Sequence, residues 1–338
     1  MTNDHIESIK QDKRFLDALG IRDGAQIEFV FLGSGEYNRN YSFQHPDTKA
    51  RLVLRIPMGS QMHLDHQAQY EYDALSLIQA SKRTPKPLYV DPEKTIFPYG
   101  FLVIEHLPGR ALNYKSDLTI AAPILADIHS VPIPDTHHFI TPEKPLAAIL
   151  EECNSMAAVY FEHTQADQEA KMLLSELLEK GKHLLDGTSR LSQKCDRCLI
   201  NTELNSGNFL INGAHESNYL IDWEKPLFAF AEQDLGHFLA PTTTFWKTDV
   251  VLQKDEMLHF LSSYAQCSKK QNDAEALWEK TLPYFTMTCL RGISWCAMAW
   301  VDYQHTNRKN ESNSAYEKIR QYISPPFLVN IRNHYIGV

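Results

Sequence analysis

Between Asn201 and Glu224 the chain carries Asn201-Thr202-Glu203-Leu204-Asn205-Ser206-Gly207-Asn208-Phe209-Leu210-Ile211, a polar turn, and Leu220-Ile221-Asp222-Trp223-Glu224. A carboxylate is followed five residues later by an amide, and a second apolar run ends in another carboxylate. Phe209-Leu210-Ile211 and Tyr219-Leu220-Ile221 are predicted as two short strands, with Asn212-Gly213 opening the turn between them. Such a hairpin brings the loop before its first strand and the residue after its second to the same end. The pattern therefore predicts that Glu203, Asn208 and Asp222 converge. Three oxygen-donor side chains in one place suit a hard cation such as Mg²⁺.

The elements around them divide the chain into a strand-rich part and a helical part. Residues 5–20 predict a short amphipathic helix, with Ile6, Ile9, Phe15, Leu16 and Leu19 apolar and Gly20 as its stop. Ile27 to Leu32 predicts a strand that runs through Gly33-Ser34-Gly35-Glu36 into a second, Tyr41-Ser42-Phe43. The exposed N–H groups of such a tip can lie over phosphates, although the same sequence serves equally as a simple turn. Arg51 to Pro57 predicts a third strand, with Leu52, Leu54 and Ile56 on one face and Arg51, Val53 and Arg55 on the other. A lone strand cation is ordinarily solvated or at an edge. Tyr70, Ala74, Leu75 and Ile78 recur at helical spacing from about Leu64 to Ala80 and place Glu71 on a helix. Leu88 to Val90 and Tyr99 to Ile104 add two strands. Together these predict a small antiparallel α+β lobe.

At Glu105-His106-Leu107-Pro108-Gly109 the chain changes character. Helices are predicted over 120–129, 145–187, 228–240, 249–265, 272–306 and 314–336. The expected organisation is a nucleotide-binding lobe over 1–104, a hinge over 105–109, and a helical lobe over 110–338.

The net charge of -9 argues against a general nucleic-acid binder, and it is compatible with a cationic small substrate. The N-terminus, Met1 to Lys10, lacks the apolar core of a signal peptide. Tyr284 to Tyr303, the most apolar long run, contains Thr286, Thr288, Arg291, Gly292, Ser294 and Asp302, so it reads as a buried helix rather than a membrane span. A cytoplasmic protein without membrane partners is expected. Cys195-Asp196-Arg197-Cys198 has redox or metal spacing. Without a second pair or a preceding thioredoxin-like strand, it reads as reduced structural thiols.

This order of features resembles the protein-kinase-like small-molecule phosphotransferases, the family of aminoglycoside phosphotransferases and choline kinases, over roughly residues 25–305. The specific part is Glu203–Asn208 with Ile221-Asp222-Trp223-Glu224, against a family pattern of His-Gly-Asp-x-x-x-x-Asn followed by Ile-Asp-Trp/Phe-Glu. The looser part is Gly33-Ser34-Gly35, Arg55, Glu71 and Ile104-Glu105-His106-Leu107. The resemblance implies a two-lobed kinase-like fold, ATP and Mg²⁺ as cofactors, and a small-molecule hydroxyl as acceptor. It implies that Asp222 and Asn208 hold Mg²⁺ and that Glu203 orients the hydroxyl and takes its proton. Arg55 would contact the α/β-phosphates and pair with Glu71, with Asp65 and Asp73 as competing partners. Ser34, Gly35 and Glu36 would cover the phosphates, the backbone near Glu105 and Leu107 would hold adenine, and Asp234 would brace the catalytic loop.

The departures lie in the loop and on the third strand. Asn201, Thr202 and Glu203 replace the family's His, Gly and Asp, and Arg55 replaces the strand lysine. The extra methylene of Glu203 moves its oxygens by ~1.5 Å, about one C–C bond. Misplacement of that order costs roughly a hundredfold in rate. An aminoglycoside-like antibiotic or an amino alcohol is the expected acceptor, then a sugar or homoserine-type metabolite. Glu224, Glu232, Asp302, Trp246, Trp295, Trp300 and Tyr303 are candidates for its pocket, or, for the aromatics, for helix core. The alternative is a nucleotide-binding pseudoenzyme or regulatory module without turnover. A protein Ser/Thr kinase is disfavoured, because no Ala-Pro-Glu segment follows Asp222 and no long activation loop precedes Asp234.

Overall fold

The computed structural model describes residues 3–35, 37–94, 99–188, 196–268, 273–305 and 314–336. Glu36 of the glycine turn and Cys195 of the cysteine pair lie outside these residues. The first helical stretch is two helices, α1 (Asn3–Ile9) and α2 (Lys13–Leu19), rather than one. The break falls at Asp12, whose side chain accepts the Phe15 N–H at 2.9 Å and so starts a new helix.

The strands are β1 (Val30–Ser34), β2 (Asn38–Gln44), β3 (Arg51–Pro57), β4 (Pro87–Asp91) and β5 (Phe101–Glu105), with α3 (Gln67–Ile78) between β3 and β4. Their order is β1-β2-β3-β5-β4, antiparallel throughout. The alternation read in β3 sorts its faces. Leu52, Leu54 and Ile56 join Phe15, Phe43 and Phe101 in an apolar core under α1 and α2. Arg55 takes the other face, but β3 is a central strand and α3 covers that face. Arg55 is therefore only 6% exposed, neither solvated nor at an edge.

Beyond β5 the chain is mostly helical: α4 (Leu118–His129), α5 (Pro145–Glu162) and α6 (Gln168–Thr188), then, after a strand-containing segment, α7 (Ala231–Leu239), α8 (Pro241–Lys247), α9 (Lys254–Cys267), α10 (Ala274–His305), α11 (Ser314–Tyr322) and α12 (Pro325–His334). The intervening segment holds β6 (Arg197–Ile200), β7 (Phe209–Leu210), β8 (Tyr219–Leu220) and β9 (Leu227–Phe230). The sequence assigned residues 228–230 to a helix, but they pair antiparallel with β6, with Arg197 opposite Phe230 and Ile200 opposite Leu227. Cys198 is buried on β6. β7 and β8 form the expected hairpin, with Phe209 opposite Leu220. Among the described residues no helix is long and apolar enough to cross a membrane. The chain thus folds as a small antiparallel-sheet lobe followed by a helical region, a mixed α+β architecture.

Two glycines set close approaches. Gly109 has φ 143°, and a Cβ there would lie 2.8 Å from the Leu210 backbone carbon. This lets Arg110 and Ile211 exchange backbone bonds of 3.1 and 2.8 Å, clamping the segment after β5 to the hairpin. At Gly236 a Cβ would come within 2.5 Å of the Phe285 nitrogen, so α7 packs directly on α10.

Candidate active site

The β6–β9 pair positions the site. The loop 201–208 leaves the end of β6, and Asp222 to Pro226 leads into β9 beside it. Asp234, in the first turn of α7 and fully buried, accepts the Asn201 and Thr202 backbone N–H groups at 2.8 Å each. His129 of α4 stands behind it, with Nε2 at 3.2 Å from Asp234 and Nδ1 at 3.0 Å from the Tyr264 hydroxyl of α9. With Nε2–H donating to the carboxylate, Nδ1 is the acceptor and the tyrosine the donor.

Asn201 occupies the place of the family's histidine and ties two loops together. Its Nδ2 donates to the Asp222 carbonyl at 2.8 Å, and its Oδ1 accepts the Glu203 N–H at 3.1 Å. Thr202 and Asp222 have φ of 71° and 65°. Left-handed backbone at a β-branched residue costs on the order of 1–3 kcal/mol and persists only where neighbours hold it. Here Asp234, Asn201 and the bond from the Thr202 hydroxyl to the Lys225 carbonyl (2.9 Å) hold it.

The predicted convergence is present. Asn208 Nδ2 donates to the Glu203 carbonyl at 2.8 Å, and the Asn208 carbonyl accepts the Ile221 N–H at 2.8 Å, next to Asp222. The Glu203 carboxylate pairs with Lys225, which also donates to Gln61. Arg55 is the hub between the two parts of the chain. Its Nε contacts Glu71 at 2.9 Å, and its Nη2 contacts Asp222 at 2.5 Å and Glu224 at 3.2 Å. Glu71 is thus the partner, while Asp73 is engaged by His138 and Gln69. Burial alone pushes the Arg55 guanidinium down, but Glu71, Asp222 and Glu224 outweigh it and hold the pKa above the ordinary value.

Glu224 was read as a pocket residue. It lines the cavity below, but its carboxylate is held by Arg55 and by Asn38 Nδ2 at 2.6 Å. Burial, then the neighbouring Asp222, pushes the Glu224 carboxyl up to about 7 against the pull of Arg55. Gly35 lines the same cavity, with its N–H bonded to the Asn38 carbonyl at 3.0 Å, whereas Ser34 ends β1 in an exposed position. Glu105 donates its N–H to the Lys86 carbonyl at 2.9 Å, and Leu107 follows before Pro108.

The donor set fits Mg²⁺. Asp222 Oδ2 accepts no hydrogen bond among the described residues, and the Asn208 amide uses Nδ2 on the loop, leaving Oδ1 as an oxygen donor. No group of three His, Cys, Asp or Glu side chains among the described residues makes a closed metal site. Mg²⁺ keeps waters and phosphate oxygens and takes only one or two protein ligands, so an open pair suits it.

From this end a cavity of about 390 Å³ extends to α8 and α10. Trp246 and Trp295, candidates for a pocket or for helix core, line it. Trp300 instead packs on Tyr160 and His163, Tyr303 stacks on Tyr316, Glu232 is buried in α7, and Asp302 is exposed. Sequence reasoning missed Lys225, Lys247 and Arg291, which also line it. A signal for part of this wall existed: Thr288, Arg291, Gly292 and Trp295 recur at helical spacing and share one face of α10.

Comparison with solved structures places the fold. Choline kinase from Cryptosporidium parvum Iowa II superimposes with a TM-score of 0.63 at 16% identity, over 96% of this chain and 99% of that one. A spectinomycin phosphotransferase in complex with ADP and spectinomycin gives 0.58 at 16% identity, over 94% and 96%. Plasmodium vivax ethanolamine kinase gives 0.58 at 14% identity, over 89% and 83%. No curated protein matches the chain significantly. Matched over residues 28–267 by the model of the phosphotransferase enzyme family, the chain belongs to that family.

Proposed function

We propose that this protein is a small-molecule kinase that transfers the γ-phosphoryl group of ATP, with Mg²⁺, to a hydroxyl of a small molecule. The observation that carries the reading is the convergence of Glu203, Asn208 and Asp222 with the Arg55–Glu71 pair at one end of the cavity. In this reading residues 1–104 bind the nucleotide, 105–109 form the hinge, and 110–338 supply the catalytic loop and acceptor pocket. Adenine meets the Glu105 carbonyl and the Leu107 N–H. Ser34 and Gly35 cover the phosphates, and Arg55, oriented by Glu71, turns its guanidinium to them. Asp222 and Asn208 hold Mg²⁺, which when bound neutralises charge on the phosphates. Glu203 accepts the hydroxyl proton, and Lys225 aims its carboxylate. Free buried thiols and the need for ATP accompany a cytoplasmic location.

A second reading, nucleotide binding without turnover, draws on the same Lys225–Glu203 pair, which occupies the carboxylate expected to receive the proton. ATP consumption across aminoglycosides, choline, ethanolamine, sugars and homoserine, with products identified by mass, separates the two. Product formation that Glu203→Gln abolishes supports the kinase. Mg-ATP binding with no product from any acceptor supports the binding module.

A further inference from the structure

Two cavities meet on the helical side of Glu203. The larger, about 390 Å³, runs from Glu203, Asp222 and Glu224 to α8 and α10. The smaller, about 310 Å³, opens between α5, α7 and α10. Lys225, His237, Thr288 and Arg291 line both, so they stand at the junction.

The charges in this space are segregated. The carboxylates of the larger cavity, Glu203, Asp222 and Glu224, all sit at the nucleotide end. The wall built by α7, α8 and α10 presents Lys247, Arg291, His237, threonine hydroxyls and the rings of Trp246 and Trp295, with no carboxylate among the described lining residues. In the smaller cavity the carboxylate is Glu152, and Arg291 already holds it through Nε at 2.9 Å and Nη2 at 3.1 Å.

That side-on contact fixes the guanidinium plane and leaves the two Nη1 N–H groups without a protein partner among the described residues. Lys247 likewise makes no ion pair among the described residues and is exposed. His237 adds a polar atom rather than a charge. Its Nδ1 is buried without a partner among the described residues, and burial, then the nearby Arg291, pushes its pKa down to about 4. A polycationic acceptor would set its ammonium groups against Lys247 and Arg291 and find no counter-charge there. An anion finds the Lys247 ammonium and the pre-oriented Nη1 N–H donors of Arg291, whose charge Glu152 shares, beside aromatic and hydroxyl surface that suits a polyol backbone.

We propose that the acceptor is a hydroxylated small molecule bearing an anionic oxygen group, a carboxylate or a phosphate monoester, which docks on Arg291 Nη1 and Lys247 Nζ while a hydroxyl faces Glu203. This narrows the acceptor away from the aminoglycoside-like and amino-alcohol classes, and it rests on the phosphotransferase reading of the site. The test is calorimetric titration of the protein, preloaded with Mg²⁺ and a non-hydrolysable ATP analogue, with four relatives of one hexose skeleton. These are glucose (neutral), glucosamine (cationic), gluconate (carboxylate) and glucose 6-phosphate (phosphate).

Gluconate or glucose 6-phosphate is expected to bind at least tenfold tighter than glucose, and the tighter of the two identifies the anionic group. Arg291→Gln and Lys247→Gln should each erase most of that advantage while leaving glucose affinity unchanged. Because the Lys247 side chain is exposed, Lys247→Gln guards against a folding artefact in Arg291→Gln. Glucosamine binding as tightly as the anions, no advantage of either anion over glucose, or an advantage untouched by both substitutions overturns the proposal. Failure of the ATP analogue to bind overturns the phosphotransferase reading itself, so the two failures are distinct.

Discussion

The bracing of the catalytic loop by Asp234 gives a quantitative prediction. Asp234→Ala removes both acceptors of the Asn201 and Thr202 N–H groups at a position with no solvent exposure. A buried donor left unsatisfied costs about 1–3 kcal/mol, so the two cost roughly 2–6 kcal/mol. His129 Nε2 loses its partner as well. A total near 4 kcal/mol is expected, at the upper end for a single substitution. Asp234→Asn keeps one oxygen and sets an NH2 against the second donor, so about half that loss is expected. The released loop no longer holds Thr202 at φ 71°, and Glu203 moves with it. A displacement of about 1 Å costs on the order of a hundredfold in rate. Urea denaturation gives the stability change, and ATP turnover at a temperature where the variant is folded gives the rate. An Asp234→Ala variant within about 1 kcal/mol of wild type, or one turning over at the wild-type rate, refutes the bracing role.

Other outcomes follow from the same geometry. Arg55→Met strands Glu71, Asp222 and Glu224 around a buried void and is expected to cost about 3–5 kcal/mol, checked by thermal unfolding. Arg55→Lys recovers only part, because one ammonium cannot span contacts made by Nε and Nη2 together. Asn201→Ala removes the bond to the Asp222 carbonyl and the acceptor of the Glu203 N–H, a loss of roughly 1–3 kcal/mol by denaturation with a lowered kcat. His237 is depressed from 6.5 to about 4 by burial and Arg291, so its contribution to stability is full above pH 6.5 and is lost as the pH falls toward 4. The loss amounts to at most about 3 kcal/mol. His237→Gln should flatten this acid limb in unfolding measured from pH 7 to pH 4.

The strand-rich lobe was largely legible because its signals are local. Alternation in Arg51–Pro57 and the period of Tyr70, Ala74, Leu75 and Ile78 report faces without knowledge of the partner. What alternation could not report is what lies against the polar face: by strand pattern alone Arg55 reads as a solvated or edge cation, and it was the resemblance that paired it with Glu71, under α3. The two-residue strands β7 and β8 were found through Asn212-Gly213. The β6–β9 pair was missed because Leu227-Phe228-Ala229-Phe230 carries no period of its own and runs into a true helix. Glu203, Asn208 and Asp222 were readable because one hairpin joins them. The far wall was not: Lys247 and Arg291 lie on separate helices, and each alone reads as an ordinary solvated charge, as does Lys225 beside Glu203. Trp300 and Tyr303, candidates for the pocket or for helix core, sit on other faces of α10, against Tyr160 and Tyr316.

The central claim is that Asp222 and Asn208 serve Mg-nucleotide while Glu203 serves the acceptor. Titration of ATP with and without Mg²⁺ into wild type, Asp222→Asn and Glu203→Gln tests it most directly. Mg²⁺-enhanced ATP binding is predicted for wild type and Glu203→Gln, and its loss for Asp222→Asn. ATP that binds no better with Mg²⁺ than without, or an Asp222→Asn variant indistinguishable from wild type, contradicts the account.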